Sequence, residues 1–159
     1  MKLRTGEPWV PANVYGPSLR GLTLNLLVRE VGAALPFQQE VLGAEIVYHD
    51  PDFAVLRAFG AEWMLHADHT YLDHPLGRRL DPSRPRGAGL EIRLHGRDPD
   101  EAQEAALRLG FDVLAPVTDK AHGLREVYLL DQDGYTWVAD IPSGQRSTAH
   151  SVEGKAPTG

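Results

Sequence analysis

The sequence predicts an α+β domain made of two similar halves, each with the order β-α-β-β-β. Three observations carry this reading. Short apolar runs alternate with polar residues at period two, bounded by Gly, Pro and Asp. One longer segment in each half has helical spacing and a helix stop signal. The punctuation also recurs: Leu42-Gly43 matches Leu109-Gly110 at an offset of 67, Glu30 matches Asp98 at an offset of 68, and Gly60 matches Gly134. Internal duplication of this kind points to pseudo-symmetry with a site between the halves.

Taken in order, Gly21–Val28 places Leu22, Leu24 and Leu26 on one face of a strand. Val31–Leu42 has apolar residues at helical spacing and is closed by Gly43. Pro36 is awkward there, since an interior proline costs about 3 kcal/mol or a kink. Ala44–Tyr48, Phe53–Phe59 and Glu62–His66 read as three strands, turned at His49-Asp50-Pro51-Asp52 and Gly60-Ala61. In the second half Leu90–His95 is a strand. Asp98–Leu109 is a helix with Asp98 as N-cap, Pro99 at N1, Glu101 at N3 and Gly110 as the stop. Phe111–Pro116, Arg125–Asp131 and Tyr135–Ile141 follow, the last two joined by a turn containing Asp133-Gly134.

Three segments read as irregular. The arm, residues 1–20, holds Pro8, Pro11, Pro17, Gly6 and Gly16, which argue against a helix. Its Trp9, Val10 and Tyr15 predict docking on an apolar surface of the same chain or of a partner. Residues 67–87 form a loop rich in Pro, Arg, Asp and His between module one (21–66) and module two (88–142). Residues 143–159 read as a disordered tail.

The chain has 159 residues, 42% hydrophobic and 24% charged, which suits one domain with a sizeable core. It has no cysteine, which excludes disulfides, iron–sulfur clusters and a thiol nucleophile. The net charge of −6 argues against nucleic acid as a partner. No apolar stretch approaches the ~20 residues of a membrane helix, so no membrane is expected. Met1–Gly6 lacks the apolar core of a secretory signal, and the expected location is the cytoplasm.

The motifs LLVREVGAALPFQQEVLGAEIV, GRDPDEAQEAALRLGFDVL and REVYLLDQDGYTWVADIP, in this order, resemble the vicinal oxygen chelate superfamily: glyoxalases, bleomycin-resistance proteins and ring-cleaving dioxygenases. The resemblance spans about residues 21–142. It implies two paired βαβββ modules forming a cupped mixed sheet, with helices outside and the site inside. It also implies a homodimer, sometimes by exchange of modules. Metal-dependent relatives carry His, Gln or Glu at four inward positions, which fall here on Thr23, Met64, Glu91 and Val138. Only Glu91 suits a hard or borderline cation, and a catalytic divalent site needs about three protein ligands. The expectation is therefore no metal and no cofactor.

Strand alternation supplies the rest of the inner face. With Leu22, Leu24, Leu26, Leu90, Ile92, Leu94, Trp63, Leu65, Trp137 and Ala139 toward the helices, the cup receives Thr23, Asn25, Leu27, Glu91, Arg93, His95, Glu62, Met64, His66, Thr136, Val138 and Asp140. Glu91 is the candidate catalytic residue, a carboxylate whose pKa an apolar cup can raise. Asn25, Met64, His66, Arg93, Val138 and Asp140 are the candidate substrate-binding residues, with the Arg93 guanidinium as a fork for an anion. His66, Asp68, His69 and His74 have spacing compatible with a loop metal site, but such histidines are more often simply solvated. Arg78, Arg79, Arg84 and Arg86 read as a solvated linker.

The first functional reading is a metal-free protein of the bleomycin-resistance type that binds a small polar or anionic organic molecule. The alternative is a lyase, isomerase or dioxygenase with an unusual metal set, such as His66 and Glu91 with His95 or Asp140. A metal-free enzyme using Glu91 is a variant. A third reading is an interaction module whose cup is filled by its own loop or arm.

Overall fold

The computed structural model describes residues 1–145, so all but the first three residues of the expected tail lie outside the described residues. The elements are α1 (Ala12–Ser18), β1 (Leu24–Val28), α2 (Val31–Pro36, continued by a π-helical turn over Phe37–Val41), β2 (Glu45–His49), β3 (Phe53–Ala58) and β4 (Ala61–Ala67). The second half supplies β5 (Glu91–His95), α3 (Pro99–Leu109), β6 (Asp112–Asp119), β7 (Leu124–Leu130) and β8 (Thr136–Pro142). The order βαβββ thus occurs twice.

Each module closes its own four-stranded mixed sheet, β1-β4-β3-β2 and β5-β8-β7-β6. In both, the first strand lies parallel to the last and the remaining pairs are antiparallel. Leu24 pairs with Trp63 and Ile92 pairs with Trp137, so the two tryptophans occupy equivalent positions. Their rings meet 5.5 Å apart in one core that joins the modules. Phe37 and Phe111 add an edge-on contact at 4.9 Å, and Arg97 Nε donates to the Val41 carbonyl at 2.8 Å. Burial of each such large apolar side chain stabilises the fold by roughly 1.5–3 kcal/mol.

The helix signals act as their chemistry requires. The Asp98 carboxylate accepts from the backbone N–H groups of Asp100 and Glu101, and Gly110 ends α3 in the left-handed conformation at φ 78°. Gly134, at φ 87°, sits where a Cβ would lie 2.6 Å from that of Pro85, so only glycine fits that turn.

Three local expectations change. The arm contains a helix, α1, despite its prolines. Pro11 is the N-cap, where a missing N–H costs nothing, and Pro17 falls in the last turn, so little of the ladder is lost. Pro36 neither starts nor ends its helix. It has no N–H to donate, and the chain widens into the π-turn directly after it. Pairing of β1 begins at Leu24, which leaves Leu22 98% exposed; Leu90, just before β5, is likewise exposed. Among the described residues no helix is long and apolar enough to cross a membrane.

Candidate ligand-binding site

On the first sheet, Asn25 and Leu27 of β1, Met64 and His66 of β4 and Phe53 and Val55 of β3 share the face opposite the core, because Asn25 pairs with Met64 and both Leu27 and Phe53 pair with His66. The His66 Nδ1 lies 2.6 Å from Asn25 Oδ1, and Asn25 Nδ2 donates to the Tyr71 hydroxyl at 3.0 Å. Burial pushes the His66 pKa down, outweighing the nearby Asp50, so the ring is neutral at working pH. With Asn25 Oδ1 able only to accept, the proton sits on Nδ1 and Nε2 is left as an acceptor on the opposite edge.

The N-terminal arm lies over this face. Trp9 stacks on Tyr48, with centroids 5.4 Å apart and planes 11° apart, and Tyr15 meets Phe53 edge-on at 6.1 Å. The Tyr15 hydroxyl donates to Glu62 at 3.1 Å, and burial together with that carboxylate pushes its pKa up to about 12. The arm therefore docks on its own chain, and its aromatics no longer argue for a partner. It covers the face without filling it. Between arm and sheet is a cavity of about 410 Å³ whose walls include Trp9, Tyr15, Phe53, Met64 and His66, with Lys2 and Arg4 at its border.

A buried carboxylate fastens the arm. Asp52 accepts from the backbone N–H of Leu3 at 2.7 Å and of Arg4 at 3.2 Å, while His69 Nε2 lies 2.7 Å from it. Burial alone would raise the Asp52 pKa. The hydrogen bonds from His69, Leu3 and Arg4 outweigh it and hold the group below the ordinary carboxylate range. A depressed folded-state pKa gives stabilisation that is present above the unfolded value and is lost as pH falls through the folded one. Arm docking should therefore persist through pH 5 and be released below about pH 4. Asp52→Asn should weaken docking by about 1.5–3 kcal/mol above about pH 4, with the difference vanishing once Asp52 is protonated, because one amide oxygen replaces a charged two-oxygen acceptor. Hydrogen exchange at the Leu3 and Arg4 amides measures both. Unchanged protection in Asp52→Asn would show that the carboxylate is not the fastening.

The second sheet presents a different face. Arg93 pairs with Val138, and His95 with Asp140. Arg93 donates to Glu91 at 3.0 Å, to Tyr128 at 3.4 Å and to Glu126, and it lies 3.2 Å from Asp140 Oδ2 without hydrogen-bond geometry. Burial would lower the Arg93 pKa, but these partners raise it above the ordinary guanidinium range. Burial would likewise raise Glu126, yet Arg93 holds it down. His95 Nδ1 lies 2.6 Å from Asp140 Oδ1. Val138 is fully buried, whereas Glu91 and His95 are exposed.

Among the described residues, no hydrogen bond or ion pair joins Asn25 or His66 to Glu91 or Arg93, and neither Glu91 nor Arg93 lines the cavity beside Met64 and His66. Met64 and His66, with Asn25 behind them, belong to the first sheet. Glu91, Arg93, Val138 and Asp140 belong to the second, because β1–β4 and β5–β8 pair separately. Arg93 is not a free anion fork, since three carboxylates already surround it. Sequence reasoning missed Arg4, Tyr48, Asp52 and Phe53. The arm aromatics were the available signal; Tyr48 and Phe53 read only as strand residues flanking a turn.

Among the described residues, no group of three or more His, Asp or Glu side chains is placed to hold a metal ion. The four inward positions give one carboxylate, one hydroxyl, one thioether and one alkyl side chain in two separate sheets. This donor set does not fit the metal centre that the resemblance implies.

The sequence matches no protein-family model and no curated protein. Solved structures do match the fold. A glyoxalase-related enzyme from Fulvimarina pelagi is similar with a TM-score of 0.61 at 20% identity, covering 77% of this chain and 87% of that one. A glyoxalase/bleomycin resistance protein/dioxygenase family enzyme from Burkholderia phytofirmans PsJN gives 0.63 at 16% identity, covering 76% and 96%. A glyoxalase/bleomycin resistance protein/dioxygenase from Nocardioides gives 0.57 at 21%, covering 85% and 98%. With its paired βαβββ modules, the chain has the fold of the glyoxalase/bleomycin resistance/dioxygenase proteins.

Proposed function

We propose that the protein binds a small organic molecule with a polar or anionic group, without the metal usual in this fold, in the cavity between its N-terminal arm and first sheet. The observation that carries this is the composition of that cavity. Its volume of about 410 Å³ suits a small ligand, its walls are mostly apolar and include the rings of Trp9, Tyr15, Tyr48 and Phe53, and Lys2 and Arg4 line it too. The carboxylate that borders it, Asp52, is already taken by three donors. The arm covers the face and leaves it hollow, which favours a binding site over a self-filled interaction module.

The test is a thermal-shift and tryptophan-fluorescence screen of small organic acids and neutral counterparts. Any hit is then titrated against Met64→Trp, which obstructs the cavity from the sheet side. It is titrated also against Trp9→Ala, which removes an exposed part of the arm wall and spares the core. Both variants should weaken binding at least tenfold, while chromatography of the recovered ligand shows it unchanged. A hit that binds both folded variants as well as the parent lies elsewhere and overturns the assignment. Conversion of the ligand would replace the binding reading with an enzymatic one.

The same reading includes a homodimer. Its support is the exposed apolar side chains Leu22, Phe59 and Leu90. Sedimentation at micromolar concentration should give twice the chain mass, and a monomer would remove this part of the reading.

A further inference from the structure

We infer that the ligand is a planar aromatic acid that also carries a hydroxyl or N–H donor on its ring system; this rests on the binding reading above. Three independent features of the cavity point to this class.

The first is shape and polarisability. Trp9, Tyr15, Tyr48, Phe53 and His66 form one connected series of ring contacts, at 5.8 Å for Trp9–Tyr15, 6.1 Å for Tyr15–Phe53 and 4.6 Å for Phe53–His66. Flat aromatic walls reward a flat aromatic guest through offset and edge-on packing, and a flexible aliphatic chain gains less from them. Met64 adds an adaptable thioether against a ring.

The second is a cation with one unanswered donor. Arg4 pairs with Asp50 at 3.7 Å and interacts with the Tyr48 hydroxyl, but its Nε is buried and has no hydrogen-bond partner. A buried guanidinium N–H without a partner is costly, and a ligand carboxylate would satisfy it. Lys2 at the same border adds a second positive charge.

The third is an unanswered acceptor. Asn25 and Tyr71 fix the His66 tautomer with the proton on Nδ1, so Nε2 presents a lone pair. Thr70, which also lines the cavity, spends its own proton on the Ala67 carbonyl at 2.7 Å, so its hydroxyl can serve a ligand only as an acceptor. Donor-bearing ligands meet these two groups, and ligands with acceptors only leave them bare.

The experiment uses the full chain and four probes: a naphthoate with its hydroxyl and carboxylate on opposite rings, the methoxy analogue, the methyl ester, and adipate. Calorimetry should rank the hydroxynaphthoate first. Methylating the hydroxyl and esterifying the carboxylate should each cost tenfold or more. His66→Phe should erase the preference for hydroxyl over methoxy, and Arg4→Met should shrink the preference for acid over ester, each leaving the other preference in place. Equal affinity for acid and ester, or for hydroxyl and methoxy, overturns the ligand class. So does tighter binding of adipate, and if Trp9→Ala and Met64→Trp weaken that adipate binding, the cavity reading stands while the class falls. If no probe binds, or if binding ignores both cavity variants, the inference and the cavity reading fail together.

Discussion

Arg86→Ala is expected to lower the free energy of unfolding by about 3–5 kcal/mol, the usual loss when one partner of a buried charge cluster is removed. Arg86 reads in the sequence as part of a solvated basic run, but it is buried. Its guanidinium donates to the Leu27 carbonyl at 2.6 Å and grips both oxygens of Asp68, and it lies 3.7 Å from the buried Asp133. Its backbone N–H donates to the Asp133 carbonyl at 2.9 Å, and the Tyr135 hydroxyl reaches the same Leu27 carbonyl at 3.0 Å. One side chain thus ties the inter-module loop and β1 of the first module to the β7–β8 turn of the second. Alanine would leave Asp68 and the Leu27 carbonyl short of donors, with Asp133 held by Arg29 and the Gln132 amide. For a domain whose total stability is typically about 5–15 kcal/mol, this is a large share. Urea denaturation should show a lower midpoint at unchanged slope. A loss under about 1 kcal/mol, the range of an exposed ion pair, would show that solvent replaces the cluster.

Trp137→Ala should cost a similar about 3–5 kcal/mol, for a different reason. Trp137 is among the largest fully buried side chains, and its ring packs 5.5 Å from Trp63 at the centre of the joint core. Its indole N–H donates to Asp131 Oδ2 at 3.1 Å, while Asp131 Oδ1 accepts from the N–H groups of Asp133 and Tyr135. Alanine would open a cavity between the modules and leave a buried carboxylate oxygen without a donor. Trp137→Phe separates these effects, since it keeps most of the volume and loses the donor. It should cost about 1–3 kcal/mol, the penalty of an unsatisfied buried group. Burial already pushes the Asp131 carboxyl up, and loss of the indole should push it further. If phenylalanine costs as little as a surface substitution, the indole–carboxylate bond does not contribute and packing alone holds the site.

The duplication was legible because it is written in local chemistry. Capping at Asp98, the stop at Gly110 and the Asp133-Gly134 turn act within a few residues of themselves, so the sequence is sufficient to place them. Period-two alternation likewise put Met64 with His66, and Glu91 with Arg93, on one side of their strands, away from the helices. Local rules failed where a contact distant in the chain outweighed a propensity. The arm is helical because Tyr15 and Trp9 find Phe53 and Tyr48, and no property of residues 1–20 alone discloses that surface. Leu22 continues the alternation of its strand but lies before Leu24, where pairing with β4 begins.

The sequence by itself determined which face of each strand a side chain occupies and where the second helix and the hairpin turn of its module lie, since these follow from backbone periodicity and residue chemistry. The tertiary structure decided which faces meet. His66 stands on one sheet and Glu91 and Arg93 on the other, a partly buried network occupies Arg93, and the arm turns the first sheet's face into an apolar cavity. Pairing between sheets and the docking of an arm depend on contacts between residues tens of positions apart, such as Leu3 with Asp52, and a one-dimensional period carries no information about them.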